Sequence, residues 1–254
     1  LNLGVLYNFG MGVPQDFEQA AYWFALAAEQ GQLMAQISLA ALYVSGQGVQ
    51  TNYAEAAKYY GMAAEQGDVG AQLTLAEMYL SGQGVDQDYE QAAHYYLLAA
   101  EKGEVAAQFS MALMYRDGLG VEQDYEEAAN FYRMAADQGH IAAMFSMAAM
   151  YESGEGIEQN FEEAFRWYRL AAGQGHPSSQ NNLGLMYESG QGVAENPIRA
   201  YAWLKIASTL STGEERVRFQ SNRNQVEAQL SAEQLTEANA LSDRCLESRY
   251  RECE

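Results

Sequence analysis

Residues 81–103 read S-G-Q-G-V-D-Q-D-Y-E-Q-A-A-H-Y-Y-L-L-A-A-E-K-G, and a shift of 36 residues in either direction brings the pattern back. Its paired glycines stand at Gly10/Gly12, Gly46/Gly48, Gly82/Gly84, Gly118/Gly120, Gly154/Gly156 and Gly190/Gly192, with no insertion anywhere. A fixed period of this size marks a stacked-repeat solenoid, in which each unit buries its apolar face only against its neighbours. The expected product is a surface that holds another molecule.

Each unit reads as two helices joined by a glycine turn. In the unit from Ala71 to Ala106, Leu75, Ala76 and Tyr79 recur at three- and four-residue spacing and give the first helix one buried face. Gly82 and Gly84 let the backbone reach positive φ. Val85, matched by Val13, Val49, Val121, Ile157 and Val193, is placed beneath the turn. Asp88 starts the second helix, and Asp16, Asn52, Asp124, Asn160 and Asn196 occupy the same place. A short side-chain oxygen there accepts from the free amides of the first turn. Gln19, Glu55, Gln91, Glu127 and Glu163, three positions on, have capping-box spacing. The sixth unit departs with Arg199 but has Pro197 at the first helical position. Small residues such as Ala92, Ala93, Ala99 and Ala100 let helix axes approach, and Trp23, Tyr59, Tyr95, Phe131, Trp167 and Trp203 fill the space between units. Gly31, Gly67, Gly103, Gly139 and Gly175 end the second helix.

This pattern, A-Q-x-x-L-A/G-x-M-Y-x-S-G-x-G-V-x-x-D-Y-x-x-A-x-x-Y/W-Y-x-x-A-A-x-x-G, resembles the Sel-1-like repeat, a relative of the tetratricopeptide repeat. The tetratricopeptide repeat itself has a 34-residue period and lacks the G-x-G-V turn. The resemblance implies an all-α fold, a right-handed alpha-alpha superhelix (alpha-solenoid) of about six 36-residue repeats. Their expected positions are near 1–34, 35–70, 71–106, 107–142, 143–178 and 179–210, with capping helices over 211–254. Proteins similar to this serve as adaptors in protein complexes, in endoplasmic-reticulum quality control and in bacterial envelope, signalling and host-interaction roles.

Beyond Leu210 the period is lost. Gly213 to Leu230 reads as a weakly amphipathic helix. Ser231-Ala-Glu-Gln234 is a capping box flanked by Leu230 and Leu235, and Leu235, Ala238, Leu241 and Cys245 share one face of a last helix. An end cap is expected, because the last repeat would otherwise expose an apolar face. The two cysteines, Cys245 and Cys253, would stand about 12 Å apart on a straight helix, whereas a disulfide needs less than about 7 Å. They pair only where the helix ends or turns between them; two free thiols are the alternative. The C-x7-C spacing is similar to that of a cysteine-rich secreted bacterial branch of the family, which implies a bridge and an oxidising compartment. The expected localisation is periplasmic or secreted, with the cytoplasm as the alternative.

The net charge of -20 is uneven: up to Pro197 there are 25 Asp/Glu against 6 Lys/Arg, and from Ile198 onward 9 against 8. So acidic a body repels phosphate backbones, which argues against nucleic acid and favours basic proteins, cationic peptides or cations. No run of 18 apolar residues offers a membrane span. The chain opens at Leu1 inside the first helix of a repeat, without Met or a signal peptide, as a trimmed chain would.

No catalytic, cofactor or metal residue is expected. The recurring G-x-G lacks the third glycine and the preceding strand of a phosphate cradle. His140 and His176 share one repeat position, roughly 10 Å apart by helix-packing distances, and read as solvated loop residues. H-E-x-x-H, a nucleophile elbow and the penicillin-binding S-x-x-K are absent. Some proteins of the family it resembles are associated with penicillin binding or hydrolysis, so a cell-wall or beta-lactam-related hydrolase is the alternative to a non-enzymatic adaptor. A structural subunit of an envelope complex is a third.

Residues that vary between units mark the partner surface. On the first helices a small polar row runs Asn2, Ser38, Thr74, Ser110, Ser146 and Asn182, and rows three and six residues on include Glu77, then Arg116, Glu152 and Glu188. Phe109 and Phe145 stand beside the row. Spacings of three place these residues on one stripe. In related superhelices the first helices line the concave side, so this face is expected to hold a protein or peptide segment, a basic one among the options.

Overall fold

The computed structural model describes residues 1–251 and 253. Among them are fourteen α-helices and no strand. They fall into two compact units, Leu1–Asp124 and Tyr125–Glu254. The first unit holds α1 (Asn2–Phe9), α2 (Phe17–Ala28), α3 (Leu33–Ser45), α4 (Tyr53–Glu65), α5 (Val69–Ser81), α6 (Tyr89–Glu101) and α7 (Val105–Asp117). The second holds α8 (Tyr125–Asp137), α9 (Ile141–Ser153), α10 (Phe161–Ala172), α11 (Pro177–Ser189), α12 (Pro197–Leu210), α13 (Gly213–Glu227) and α14 (Ala232–Glu247). Within each unit, consecutive helices pack in pairs.

The helices start and stop where local chemistry tells them to. Asp16, Asn52, Asp88, Asn160 and Asn196 each accept a backbone N–H from the first turn that follows. At α2, α4, α6 and α10 this bond runs one way; the reciprocal capping box is made at Ser231 and Gln234, which open α14. Second helices end in a turn in which the residue after the glycine donates to the carbonyl five positions back, as Asp68 does to Ala63 and Glu104 to Ala99. In the sixth repeat Ser211 replaces that glycine, its backbone is extended, and α12 stops.

The glycine pair does two different jobs. The first glycine, such as Gly82 at φ 73°, closes the first helix in the left-handed region. The second lies against the preceding helix pair. A Cβ on Gly84 would land on the carbonyl of Tyr53, the first residue of α4, and 2.6 Å from its Cβ. Gly48 meets Phe17 and Gly120 meets Tyr89 in the same way; in the second unit Gly156 meets Tyr125 and Gly192 meets Phe161. Gly12 has the same backbone, at φ 78°, with nothing within 4 Å of such a Cβ. The second glycine is thus a contact between neighbouring repeats as well as a turn.

Alanine packs the interior. Ala56, Ala63, Ala92 and Ala99 are fully buried, and Tyr43 stacks on Tyr59 as Tyr79 does on Tyr95, with centroids 6.1 and 6.0 Å apart. In four of the six repeats a glutamine is buried among them. Gln36, Gln72 and Gln108 donate to the carbonyls of Ala28, Ala64 and Ala100 at 3.2–3.3 Å, and Gln180 to Ala172 at 3.1 Å. Gln66 donates in turn to Gln36 Oε1 at 2.7 Å. Lys102 stands where a second such donor would be, but reaches the Gly67 carbonyl at 2.6 Å. Gln72 Oε1 is left buried without a partner.

The last two helices cover α12. Phe219 and Val226 of α13, and Ala238, Leu241 and Cys245 of α14, turn their side chains inward. After Glu247 the chain reverses through Arg249 and Tyr250, both at positive φ, and this brings the Cα atoms of Cys245 and Cys253 to 4.5 Å in a disulfide.

Two stability measurements follow. Gly84→Ala lowers unfolding free energy by more than about 3 kcal/mol, because backbone strain is joined by collision with backbone. Gly12→Ala costs only the left-handed strain of about 1 kcal/mol. Equal losses in urea unfolding would remove the contact from the account. Lys102→Gln supplies Gln72 Oε1 with a donor and raises stability by about 1 kcal/mol in the same assay.

Candidate functional site

The sequence-expected partner stripe lies on first helices in both units. In the first unit, Asn2 and Glu77 are exposed, and Ser38, Thr74, Phe109, Ser110 and Arg116 are half-buried. Ser38 and Thr74 donate to carbonyls of their own helices, Met34 at 2.7 Å and Gly70 at 3.0 Å. Ser110 shares a hydrogen bond with the buried Tyr96 hydroxyl, which burial and nearby Glu77 push above its ordinary pKa. Arg116 forms a bidentate pair with Asp117 at 2.7 and 2.8 Å, holding that carboxyl below its usual range.

The second unit brings three of the expected residues together. Glu152 of α9 and Asn182 and Glu188 of α11 line one shallow pocket of about 270 Å3, with Leu185 and Met186. Tyr168, almost wholly buried on α10, donates to Glu152 Oε2 at 2.7 Å and shares a hydrogen bond with Asn182. Burial is the main cause of its strongly raised pKa, and Glu152 adds to it. A fixed hydroxyl therefore orients one carboxylate oxygen and leaves the other for a ligand. Glu188 Oε1 accepts from Gln229 at 3.5 Å. Two carboxylates, one amide and an apolar floor suit a cationic side chain with a hydrocarbon stem. Ser146 is half-buried on α9. Phe145 is used in packing: its ring sits 5.8 Å from Tyr168 and 5.0 Å from His176.

The histidines are placed differently from the solvated loop positions expected for them. His140 and His176 are half-buried N-caps of α9 and α11, and each Nδ1 accepts the backbone N–H three residues on, Ala143 or Ser179, at 3.2 Å. Burial depresses both imidazoles; at His176 the Glu215 carboxylate opposes this. Asp68 caps α5 in the equivalent place, which is the signal the sequence carried. Among the described residues no group of three or more His, Cys, Asp or Glu is arranged to hold a metal ion. Among the described residues no helix is long and apolar enough to cross a membrane.

Repeated helix pairs with glycine turns and a variable first-helix stripe define an all-α solenoid. The Sel1 repeat model matches residues 1–32, 33–68, 69–104, 105–140, 141–176 and 177–211, and the chain belongs to the Sel1 repeat family. A Sel1 repeat protein from Oxalobacter formigenes of known structure is 33% identical over 84% of each chain, with a TM-score of 0.60. A protective antigen of uropathogenic Escherichia coli strains with the SLR fold is 26% identical over 99% of this chain and 76% of its own, with a TM-score of 0.48. An immunity protein from Pseudomonas aeruginosa is 19% identical over 89% and 83%, with a TM-score of 0.38. No curated protein matches the chain. The Sel1 repeat is typically a non-enzymatic scaffold for protein interaction.

A neutral imidazole is needed to accept the cap bond, so the native state holds fewer protons than the unfolded chain near pH 6. This contribution is present above the ordinary histidine pKa of about 6.5 and is lost as pH falls through the depressed native value. The urea midpoint is expected to fall between about pH 7.5 and 5. The double substitution His140→Asp/His176→Asp, which caps without titrating in that window, flattens the fall; an unchanged slope contradicts the capping role.

Proposed function

We propose that this chain is a non-enzymatic adaptor that binds an extended, basic segment of a protein partner along its first-helix stripe. The observation that carries this is the pocket of Glu152, Asn182 and Glu188. The buried Tyr168 hydroxyl orients the Glu152 carboxylate, and the apolar floor accepts the stem of a lysine or arginine. The excess of 25 acidic over 6 basic residues up to Pro197 adds long-range attraction for such a segment. In the second unit the half-buried Ser146 and Asn182 lie on first helices, α9 and α11, that carry the pocket residues. The Cys245–Cys253 bridge supports a periplasmic or secreted setting, since disulfides persist in oxidising compartments.

Fluorescence anisotropy with labelled peptides tests the reading. A panel of extended lysine- and arginine-bearing peptides binds, acidic counterparts do not, and affinity falls with added salt. The variant Glu152→Gln/Glu188→Gln weakens the best peptide by about tenfold or more. Equal binding of basic and acidic peptides, or an unaffected variant, overturns it.

A further inference from the structure

Helix α4 carries a glycine, Gly61, in its interior, where nothing local calls for one. Gly61 is not at positive φ, and a Cβ there would meet only Leu75 Cδ2 at 3.9 Å, an ordinary contact. A glycine inside a helix costs stability. Its counterparts at the 36-residue period are Ala25 in α2, Leu97 in α6, Arg133 in α8, Arg169 in α10 and Lys205 in α12. What the missing side chain leaves is space. Gly61 lines a pocket of about 380 Å3 within the first unit, together with the apolar Ala57, Met62, Leu75 and Val85 and with Tyr79 of α5 and Tyr95 of α6.

The pocket carries opposite charges along α4. Lys58 and Glu65 both line it, and seven residues of helix separate them by about 10 Å along the axis. Glu65 stands near the tyrosines: the Tyr95 hydroxyl has its pKa pushed up by burial first, then by Tyr79 and by the Glu65 carboxylate. Neither tyrosine hydroxyl, nor the Glu65 side chain, makes a hydrogen bond or ion pair among the described residues. Lys58 is 3.6 Å from Glu55 and 5.0 Å from the centre of the Tyr59 ring. The second unit has the same position filled. Two repeats on, Arg133 takes the place of Gly61, Tyr151 that of Tyr79, Trp167 that of Tyr95 and Asp137 that of Glu65, and all four line one pocket. There the Arg133 guanidinium donates to the Tyr151 hydroxyl at 2.7 Å. At Gly61 the equivalent hydroxyl and carboxylate are kept, and the sequence supplies no guanidinium to them.

We propose that the Gly61 pocket binds arginine as the free amino acid, with its guanidinium in the place that Arg133 fills two repeats on. The guanidinium donates to the Tyr79 hydroxyl and the Glu65 carboxylate, the stem lies along Gly61, and the ligand's own carboxylate reaches Lys58. A guanidinium is planar and weakly hydrated, so it suits the faces of Tyr79 and Tyr95, which are parallel to within 4°. Glu55, beside Lys58, is an acceptor for the α-ammonium group. A ligand charged at both ends matches the placing of Lys58 and Glu65; an arginine inside a polypeptide, with no carboxylate of its own, does not. The pocket shares no residue with the first-helix stripe and does not depend on it.

Amide NMR spectra of the isotope-labelled full chain, titrated with L-arginine, test the proposal. Saturable shifts centred on the Gly61 and Leu75 amides are expected. L-citrulline, the same zwitterion with a neutral end, binds about tenfold or more weaker, and Glu65→Gln weakens L-arginine by a similar factor. Gly61→Ala keeps the binding, read at Leu75, because its Cβ has room. Gly61→Arg fills the pocket and abolishes it. Both substitutions raise the urea midpoint through helix propensity, so the loss in Gly61→Arg is not a loss of fold. No saturable shift, equal binding of L-citrulline, or undiminished binding by Gly61→Arg overturns the proposal. Tighter binding of an acetylated and amidated arginine tripeptide than of L-arginine overturns the assignment to the free amino acid.

Discussion

The repeats meet backbone to backbone: from the second turn onward, the second glycine lies on the first residue of the second helix in the preceding pair. Gly84 on Tyr53 is one instance in the first unit, and Gly156 on Tyr125 one in the second. No side chain fits there, so the contact fixes the spacing of one helix pair on the next without depending on rotamers. It also explains a period with no insertion across six repeats. A residue added anywhere between consecutive glycine pairs would displace the second glycine from its seat.

Packing this close leaves little room for large side chains, and alanine fills the interior. Such a core buries carbonyls at the ends of second helices, and they need donors. The glutamine of each A-Q pair provides one, as Gln72 does for Ala64. The tyrosines do the corresponding work nearer the surface. Tyr168 spans from the core to Glu152 and Asn182, so the hydrogen bond that satisfies a buried hydroxyl also aims a carboxylate outward. The chemistry of the stripe is therefore set from inside.

The helix pairs could be read from sequence because period, N-caps and glycine turns all agree, and Asp16, Asn52 and Asp88 cap the helices they were expected to cap. What escaped depended on tertiary context. His140 and His176 looked like loop residues because histidine is an unusual cap, although Asp68 at the same position was a clue. The glutamine ladder was visible as a repeated letter, but its purpose depends on which carbonyls are buried. Phe145 was read as lining the stripe and is engaged in packing. The turn that joins Cys245 to Cys253 needs two non-glycine residues at positive φ, and nothing in Arg249 or Tyr250 announces that. The grouping of Glu152, Asn182 and Glu188 followed from the three-residue spacing, since neighbouring first helices carry the stripe side by side.

Charge divides the chain: it is strongly acidic up to Pro197 and close to balance beyond it, with 9 Asp/Glu against 8 Lys/Arg. The first-helix stripe rests on the spacing set by the glycine seat. The most direct measurement of that seat is a nuclear Overhauser experiment on the full chain. It should show strong contacts from an α-proton of Gly84 to the β-protons of Tyr53, and from Gly156 to Tyr125, with no corresponding long-range contact from Gly12. Absence of the Gly84 and Gly156 contacts, with the glycines resolved and assigned, would contradict the account.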